Sequence, residues 1–329
     1  MRLDLLAALA LLVAAASPAR AFDCEKATTP TEKAICADPA ARAADAAMAE
    51  AFSASMALES PAAKPMLAAA QVRWLRDRDF ACDAFKSAEL SACLARESAR
   101  RRAFLAAEPE AGPGAPGRLA PLFRIKQGSK RNAGIDLQLL KYPSPATPAE
   151  RAFNAAVDKL VGPLDEPQAD DPSPGQYEYD RTMRLTYASP RLISAHLDGF
   201  NDTGGAHPIT FSGNVNIDVN EGREARFSDF IDAAGAKAVF ALCLKEIVAE
   251  KRRRMGADAP LGPDDLKELA KTIAEATGQL TSWSFGADRA TVTYDPYAVG
   301  AYVEGAYACE IPYMTLKPLA KTSFPFPEE

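Results

Sequence analysis

The residues of this chain with the greatest capacity for chemistry are its two histidines and six cysteines. His196 and His207 stand 11 positions apart, and no serine lies in a G-x-S-x-G motif that would supply a nucleophile. A metal-dependent deacetylase needs a cluster of His and Asp ligands, and two histidines supply little of it. The sequence therefore predicts a protein that is not an enzyme, with no catalytic residue, no metal and no cofactor.

The cysteines are expected to form disulfides. Four lie early in the chain and two lie far downstream, so bonds within each group leave three pairings open for the first four and one, Cys243–Cys309, for the last two. The first four are separated by 11, 45 and 10 residues and lack the close C-x-x-C pairs of a zinc site. The predicted disulfide cysteines are Cys24, Cys36, Cys82, Cys93, Cys243 and Cys309.

A glycine-rich turn and a tyrosine-rich segment are the candidate binding elements. Gly204 and Gly205 permit a tight turn, and Pro208 fixes the direction in which the chain leaves it. Tyrosines are favoured at interfaces, so the segment that contains Tyr297 and Tyr302 is a candidate surface for binding a sugar or a protein. Turn and core roles remain the alternative for all of these positions. The candidate binding residues are Gly204, Gly205, His207, Pro208, Asp295, Tyr297 and Tyr302.

An export signal precedes these elements. Residues 1–21 contain Arg2, an apolar run from Leu5 to Ala16, and the small-x-small ending Ala19-Arg20-Ala21. The apolar run is about a dozen residues, whereas a membrane-spanning helix needs roughly 20. We therefore expect a signal peptide cleaved after Ala21, no integral membrane segment afterwards, and a periplasmic or secreted protein.

Composition divides the rest of the chain into two domains. A Pro/Gly-rich run at 108–117 has the composition of an extended linker, so we expect a domain at 22–105, a linker at 106–118 and a domain at 119–329. The chain carries a formal net charge of −6, and the acidic excess lies after residue 105. Such a charge disfavours nucleic acid and attracts basic partners. The acidic run 165–171 is a candidate for steering a cationic enzyme.

The first domain has a helical pattern. Helices are predicted at 38–58, 62–79 and 91–105, the first beginning with Asp38-Pro39 as cap and first turn. Arg73, Arg76 and Arg78 alternate with acids, a pattern that predicts solvated ion pairs along one helix.

Several segments of this domain resemble the LprI-type lysozyme-inhibitor domain of bacterial envelopes. They are Phe22-Asp23-Cys24, Glu32-Lys33-Ala34-Ile35-Cys36, Trp74-Leu75-Arg76-Asp77-Arg78-Asp79, Cys82 and Cys93-Leu94. The resemblance covers nearly all of 22–105. It implies a helical secreted domain, of a kind that in some members inhibits lysozyme.

The second domain is predicted to be α+β with an antiparallel sheet. Alternating apolar and polar residues predict strands at 135–140, 177–187, 193–200, 211–219, 283–285, 290–294 and 307–312. Helical spacing predicts helices at 147–161, 234–254 and 264–277. The whole chain is thus expected to be a small all-α disulfide-bonded domain followed by an α+β domain.

The downstream domain resembles the extracellular domain of RsiV-type anti-sigma factors, which also accompanies the PdaC deacetylase. The residues concerned are Gly204-Gly205-Ala206-His207-Pro208, Phe227-Ser228-Asp229-Phe230, Tyr294-Asp295-Pro296-Tyr297 and Glu310-Ile311-Pro312-Tyr313. This resemblance implies lysozyme binding, as does that of the first domain. The sequence therefore predicts an envelope protein that binds a lysozyme-type basic glycosidase, and it leaves open whether binding also inhibits that enzyme. The alternative is a structural protein that binds peptidoglycan or another glycan, or, less favoured, an enzyme that modifies peptidoglycan.

Overall fold

The computed structural model describes residues 23–129, 132–165, 177–256 and 261–327. The predicted signal peptide and most of the acidic run 165–171 lie outside these residues. Within them, no helix is both long enough and apolar enough to cross a membrane.

The N-terminal region is a group of four helices. Two begin with strong caps: the Thr29 side chain and Glu32 form a reciprocal capping box, and Asp38 accepts the Ala41 N–H at 2.8 Å ahead of Pro39. The three predicted helices are present, and the short first helix is an addition. The helices are α1 (Pro30–Ala37), α2 (Pro39–Leu58), α3 (Lys64–Cys82) and α4 (Ser87–Ala106).

Two disulfides hold this helical region together. Cys24 bonds Cys36 on α1, and Cys82 at the end of α3 bonds Cys93 on α4. The second bond lies in a small core with Ile35 and Leu94. An all-α, disulfide-bonded N-terminal region is therefore confirmed, and one of the three open pairings is selected.

The remainder is α+β, as predicted, and its described residues form two sheets. The six-stranded sheet has the order β1-β2-β3-β4-β5-β6, and its strands are β1 (Ala120–Lys126), β2 (Gly134–Lys141), β3 (Glu178–Ala188), β4 (Leu192–Asp202), β5 (Ile209–Asp218) and β6 (Arg223–Glu224). A wholly antiparallel sheet was expected, but β2 and β3 are parallel. Parallel neighbours need a crossover, and helix α5 (Pro148–Val161) lies in the connection between them.

The second sheet is antiparallel and is stapled to a helix. It has the order β7-β8-β9, with β7 (Trp283–Phe285), β8 (Arg289–Tyr294) and β9 (Tyr307–Pro312). Its core includes residues of two long helices, Ala233–Met255 and Pro263–Thr277. Cys243 on the first of these helices bonds Cys309 on β9, as predicted. The helices of this part are α6 (Phe227–Phe230), α7 (Ala233–Met255), α8 (Pro263–Thr277) and α9 (Tyr313–Leu316).

The two faces of the six-stranded sheet differ in polarity, because successive residues of a strand point to opposite sides. Leu137, Leu185 and Leu197 on one face share a core with α5. The opposite face, which we call the polar face, carries a row of residues paired in register across four strands. This row consists of Gln138, Thr182, Asp198 and Ser212.

The helical region covers one end of the polar face. Arg73 on α3 lies 3.0 Å from Asp136 and 3.5 Å from Asp180, and Arg101 on α4 donates to Gln138 at 2.6 Å. The solvated position predicted for Arg73 is therefore wrong, because its partners are on the sheet and not on its own helix.

Arg78 also differs from the sequence expectation. Its side chain is 6% exposed and lies 3.2 Å from Asp45 on α2 and 2.8 Å from Asp79. Arg76, in contrast, is exposed and pairs with its neighbour Asp77.

The two regions also share apolar packing. Leu67, Phe104 and Leu105 of the helices belong to the same buried cluster as residues of the six-stranded sheet. The segment between α4 and β1 is hydrogen-bonded to β3, where Glu110 N–H donates to the Leu185 carbonyl at 2.8 Å. The division of the chain into separate domains at 22–105 and 119–329 stays a prediction.

Candidate functional site

Three of the predicted binding residues meet at the surface. His207, in the connection between β4 and β5, stacks on Tyr302 with ring centroids 4.2 Å apart. Its Nε2 lies 2.7 Å from the Tyr297 hydroxyl, and the two tyrosine rings are 5.5 Å apart. We call His207, Tyr297 and Tyr302 the aromatic cluster. Residues 90 or more positions apart in the chain thus form one surface.

Hydrogen bonding fixes the orientation of the histidine ring. The Pro208 carbonyl lies 2.9 Å from Nδ1 of His207, and a carbonyl oxygen only accepts. Nδ1 therefore carries the proton, and in the neutral ring Nε2 accepts from the Tyr297 hydroxyl. The Tyr297 hydroxyl keeps its own acceptor capacity for a ligand.

The glycine-rich turn holds His207 in this position. Gly204 has a φ of +76°, and its N–H donates to the Asp202 carboxylate at 3.0 Å. This left-handed conformation favours glycine over residues with a Cβ. Gly205 and Pro208 lie in the same connection, and of these residues His207 makes the ring contacts.

Asp295 is an anchor and makes no hydrogen bond to the aromatic cluster. Its carboxylate accepts the Ser212 N–H at 2.9 Å and the Ser212 hydroxyl at 2.7 Å. These bonds attach the β8–β9 connection to β5. Tyr297 follows two residues later with a φ of +72°, an uncommon conformation for a bulky residue. Such strain often accompanies functional surfaces.

A second anchor, Glu304, did not emerge from the sequence. It accepts from Lys251 at 2.6 Å, from the Tyr307 hydroxyl at 2.6 Å and from Ala301 N–H at 2.7 Å. Desolvation favours its protonated form, but these hydrogen bonds outweigh desolvation and lower its pKa to about 2. Together the anchors hold the segment carrying Tyr297 and Tyr302.

The aromatic cluster is accessible to a partner. His207 is exposed, Tyr297 is 59% exposed and the neighbouring Val303 is 92% exposed. Exposed aromatic rings with hydroxyl groups suit contact with a protein or with a sugar face. Within residues 23–129, 132–165, 177–256 and 261–327, no group of three or more His, Cys, Asp or Glu side chains could hold a metal ion.

Family models match two parts of the chain. The model described as lysozyme inhibitor LprI matches residues 24–105, which confirms the resemblance predicted for the helical region. A model described as a protein of unknown function, DUF3298, matches residues 228–314. This second match contains Asp295, Tyr297 and Tyr302 and leaves the 204–208 turn outside. The specific resemblance to RsiV-type proteins stays a prediction.

Solved DUF3298-family proteins are similar to this chain. One from Bacteroides fragilis NCTC 9343 is 13% identical, with a TM-score of 0.47 over 64% of this chain and 95% of that one. One from Pseudomonas aeruginosa PAO1 is 17% identical, with a TM-score of 0.42 over 65% of this chain and 98% of that one. No curated protein matches the chain.

Proposed function

We propose that this protein is exported to the bacterial periplasm or the medium, where it binds lysozyme-type glycosidases and inhibits them without being an enzyme itself. The observation that carries the proposal is the LprI match over 24–105, a region whose fold is four helices closed by two disulfides. The resemblance of the downstream region to a lysozyme-binding domain supports the same partner.

The cysteines support export. All six are paired, so no cysteine of the chain is free. Disulfides persist in the periplasm and outside the cell, whereas cytosolic thiols are kept reduced. The sequence of residues 1–21 supports the same route, through cleavage of a signal peptide.

We assign the contact with lysozyme to the aromatic cluster and to the exposed Val303 beside it. Interface energy concentrates in a few aromatic residues, with tyrosine prominent among them. Two anchors, Asp295 and Glu304, hold the Tyr297–Val303 segment in place before a partner arrives. A preorganised surface loses less conformational entropy on binding than a flexible one.

Charge favours a basic partner. The formal net charge of −6 attracts a cationic glycosidase and disfavours nucleic acid. Attraction of this kind mainly raises the association rate and weakens with salt. Inhibition by this protein is therefore expected to weaken as ionic strength rises.

The test is inhibition of lysozyme-catalysed lysis of bacterial cell walls by the oxidised full-length protein. We expect Tyr297→Ala and Tyr302→Ala to raise the half-inhibitory concentration at least about tenfold, because a hot-spot side chain is worth about 2 kcal/mol or more. Met314→Ala is the control, since Met314 is 88% exposed on α9. It should leave inhibition unchanged.

A further variant separates the two regions. Phe80 on α3 is 85% exposed and lies within the LprI match. If Phe80→Ala weakens inhibition and the tyrosine variants do not, the contact belongs to the helical region and our assignment of the surface is wrong. If the wild-type protein does not inhibit at about 50 micromolar, the function itself is wrong and glycan binding becomes the better account.

A further inference from the structure

A cleft lies between the helical region and the polar face of the six-stranded sheet. Its volume is about 410 Å³, and it is bounded by α3 and α4 on one side and by β2, β3 and β4 on the other. The aromatic side chains at its wall are Trp74 and Phe104. Cavities of roughly 300–1,000 Å³ are the usual size of small-molecule sites.

The floor of the cleft is the middle of the polar row. Gln138, at one end of the row, accepts from Arg101, and Ser212, at the other end, bonds to Asp295. Between them, Thr182 and Asp198 are exposed and line the cleft. The helices and the β8–β9 connection thus cover the two ends of the row and leave its middle open.

Arg101 is the unusual side chain of this wall. It is only 3% exposed, and it donates from Nε to Gln71 at 2.9 Å and from Nη1 to Gln138 at 2.6 Å. Both partners are neutral amides. Nη2 is buried and has no hydrogen-bond partner among the described residues. A buried donor that remains unpaired is costly, so an acceptor that reached this group would be bound favourably.

The charge of Arg101 is also uncompensated. It forms no ion pair with any carboxylate of the described residues, and its guanidinium lies 5.3–5.9 Å from the ring centres of Trp74, Phe104 and Phe123. Aromatic faces stabilise a cation only in part. Burial lowers the pKa of Arg101 to about 10, while the more distant Asp136 opposes that effect. At neutral pH the side chain is therefore a buried cation.

The other charged groups of the cleft already have partners. Arg78 pairs with Asp45, Arg100 with Glu97 at 3.0 Å, and Arg184 with Glu110 at 3.2 Å. Each of these arginines therefore has at least one carboxylate within ion-pair distance, although Glu110 is shared by Arg184 and Arg100. Among the described arginines that line the cleft, Arg101 has none.

Asp198 is likewise engaged, because Nε2 of His196 lies 3.1 Å from its Oδ1. Nδ1 of His196 faces the Asn214 side-chain oxygen at 2.8 Å, and the Asn214 amide nitrogen donates to the Thr281 carbonyl, which fixes that orientation. Desolvation by the surrounding cleft walls opposes ionisation of Asp198, but His196 and Arg184 outweigh it and lower the pKa of Asp198 below its usual value.

We propose that this cleft binds a small organic monocarboxylate, of monosaccharide or dipeptide size, whose carboxylate accepts from Arg101. A single carboxylate matches the single unmatched charge, and guanidinium–carboxylate bonds are among the stronger hydrogen bonds in proteins. The rings of Trp74 and Phe104 contact the body of the ligand. Sugar acids and peptide C-termini share this chemistry, and the site does not depend on lysozyme binding.

Calorimetric titration of the oxidised full-length protein tests the proposal, with three ligands. N-acetylmuramic acid and N-acetylglucosamine have the same ring, and only the first carries a carboxylate. Acetyl-alanyl-alanine supplies a carboxylate on a peptide. We expect saturable binding of at least one carboxylate, with a dissociation constant at least tenfold lower than that for N-acetylglucosamine. The carboxylate that binds identifies the sugar or peptide source.

Variants locate the binding. Arg101→Met should raise the dissociation constant at least tenfold. Ala81→Leu narrows the cleft from an exposed position on α3 and removes no interaction, so it tests the site even if the Arg101 variant folds poorly. It should also weaken binding at least tenfold. Ala69→Leu is the matched control, because Ala69 is exposed on the same helix and lies outside the cleft.

Three results would overturn the proposal. The first is that neither carboxylate binds saturably, and the second is that N-acetylglucosamine binds as tightly as the carboxylate that binds best. The third is that Ala81→Leu leaves the dissociation constant unchanged. Lysozyme inhibition, measured on the same preparation, reports separately on the function proposed above.

Discussion

Replacing Asp180 with asparagine is expected to stabilise the protein at neutral pH. Asp180 lies on β3 where α3 packs against the sheet, and its carboxylate pairs with Arg73 at 3.5 Å. Desolvation and the neighbouring Asp136 raise the pKa of Asp180 to about 6, and Arg73 only partly opposes them. The charged form is therefore unfavourable in the folded protein.

The direction of the pH dependence follows from linkage. The folded protein holds a proton on Asp180 up to about pH 6, whereas the unfolded chain releases it near the ordinary value of 3.8. Between these values the folded state binds more protons, so stability falls as pH rises through this window and is level above it. At about 1.4 kcal/mol per pKa unit, the stability lost when Asp180 ionises in the folded protein is at most about 3 kcal/mol. The side chain is 37% exposed, so solvent screening reduces this to about 1 kcal/mol.

Urea unfolding of the wild-type protein and Asp180→Asn at pH 4.5, 6 and 8 measures the effect. We expect the variant to gain about 1 kcal/mol relative to wild type between pH 4.5 and pH 8. Asp229→Asn is a control of opposite sign, because the hydrogen bond from Arg223 lowers the pKa of Asp229. It should lose stability at pH 8. A stability difference for Asp180→Asn that does not change with pH, or that favours wild type more at pH 8, would refute this reasoning.

Three further substitutions test the scaffold of the site. Replacing Cys243 and Cys309 together by alanine opens a bond of sequence separation 66 and should lower the free energy of unfolding by about 4 kcal/mol in urea titrations. Gly235→Ala should destabilise by about 1–3 kcal/mol, although alanine normally stabilises a helix, because the new methyl would overlap the Leu319 carbonyl. Thermal melting of Tyr297→Gly and Tyr297→Ala should favour glycine by about 1 kcal/mol, because the φ of +72° suits glycine.

Local signals predicted most of the elements. Asp38-Pro39 and Thr147-Pro148 are cap and first-turn pairs, and α2 and α5 begin at those prolines. Alternation over 307–312 predicted β9 within its observed bounds. In each case the pattern depends on neighbours along the chain and needs no distant partner.

The pairing of strands that are distant in the chain was harder to predict from the sequence. The parallel pairing of β2 with β3 depends on which strands become neighbours, and alternation within a strand carries no such information. Helix α1 is eight residues long and offers few turns in which periodicity can be recognised.

The arginines of the helical region were predicted least well. Arg73 and Arg78 were predicted to be solvated, yet they pair with Asp136 on the sheet and Asp45 on α2. Arg101, for which the sequence carried no prediction, donates to Gln138 on the sheet. A long side chain with an apolar stem can lie along a packed interface, and the sequence does not reveal where its charged end will point. The open cleft between α3, α4 and the polar face is a consequence of that packing.

The candidate site was predicted in part. His207, Tyr297 and Tyr302 were selected from two distant segments, and they are in contact. Asp295 was selected as a binding residue, and its hydrogen bonds are those of an anchor. Glu304 gave no recognisable signal, because an acid becomes an anchor only when a distant lysine reaches it. Whether these residues bind lysozyme stays a proposal.

Calorimetric titration of the mature, oxidised, full-length protein with hen-type and goose-type lysozymes at two salt concentrations tests the central claim most directly. The full chain is needed because Leu67 and Phe104 of the helical region share a core with the sheet. We predict saturable binding to at least one lysozyme, with weaker affinity at the higher salt concentration. No heat of binding and no loss of lysozyme activity at about 50 micromolar protein would contradict the account.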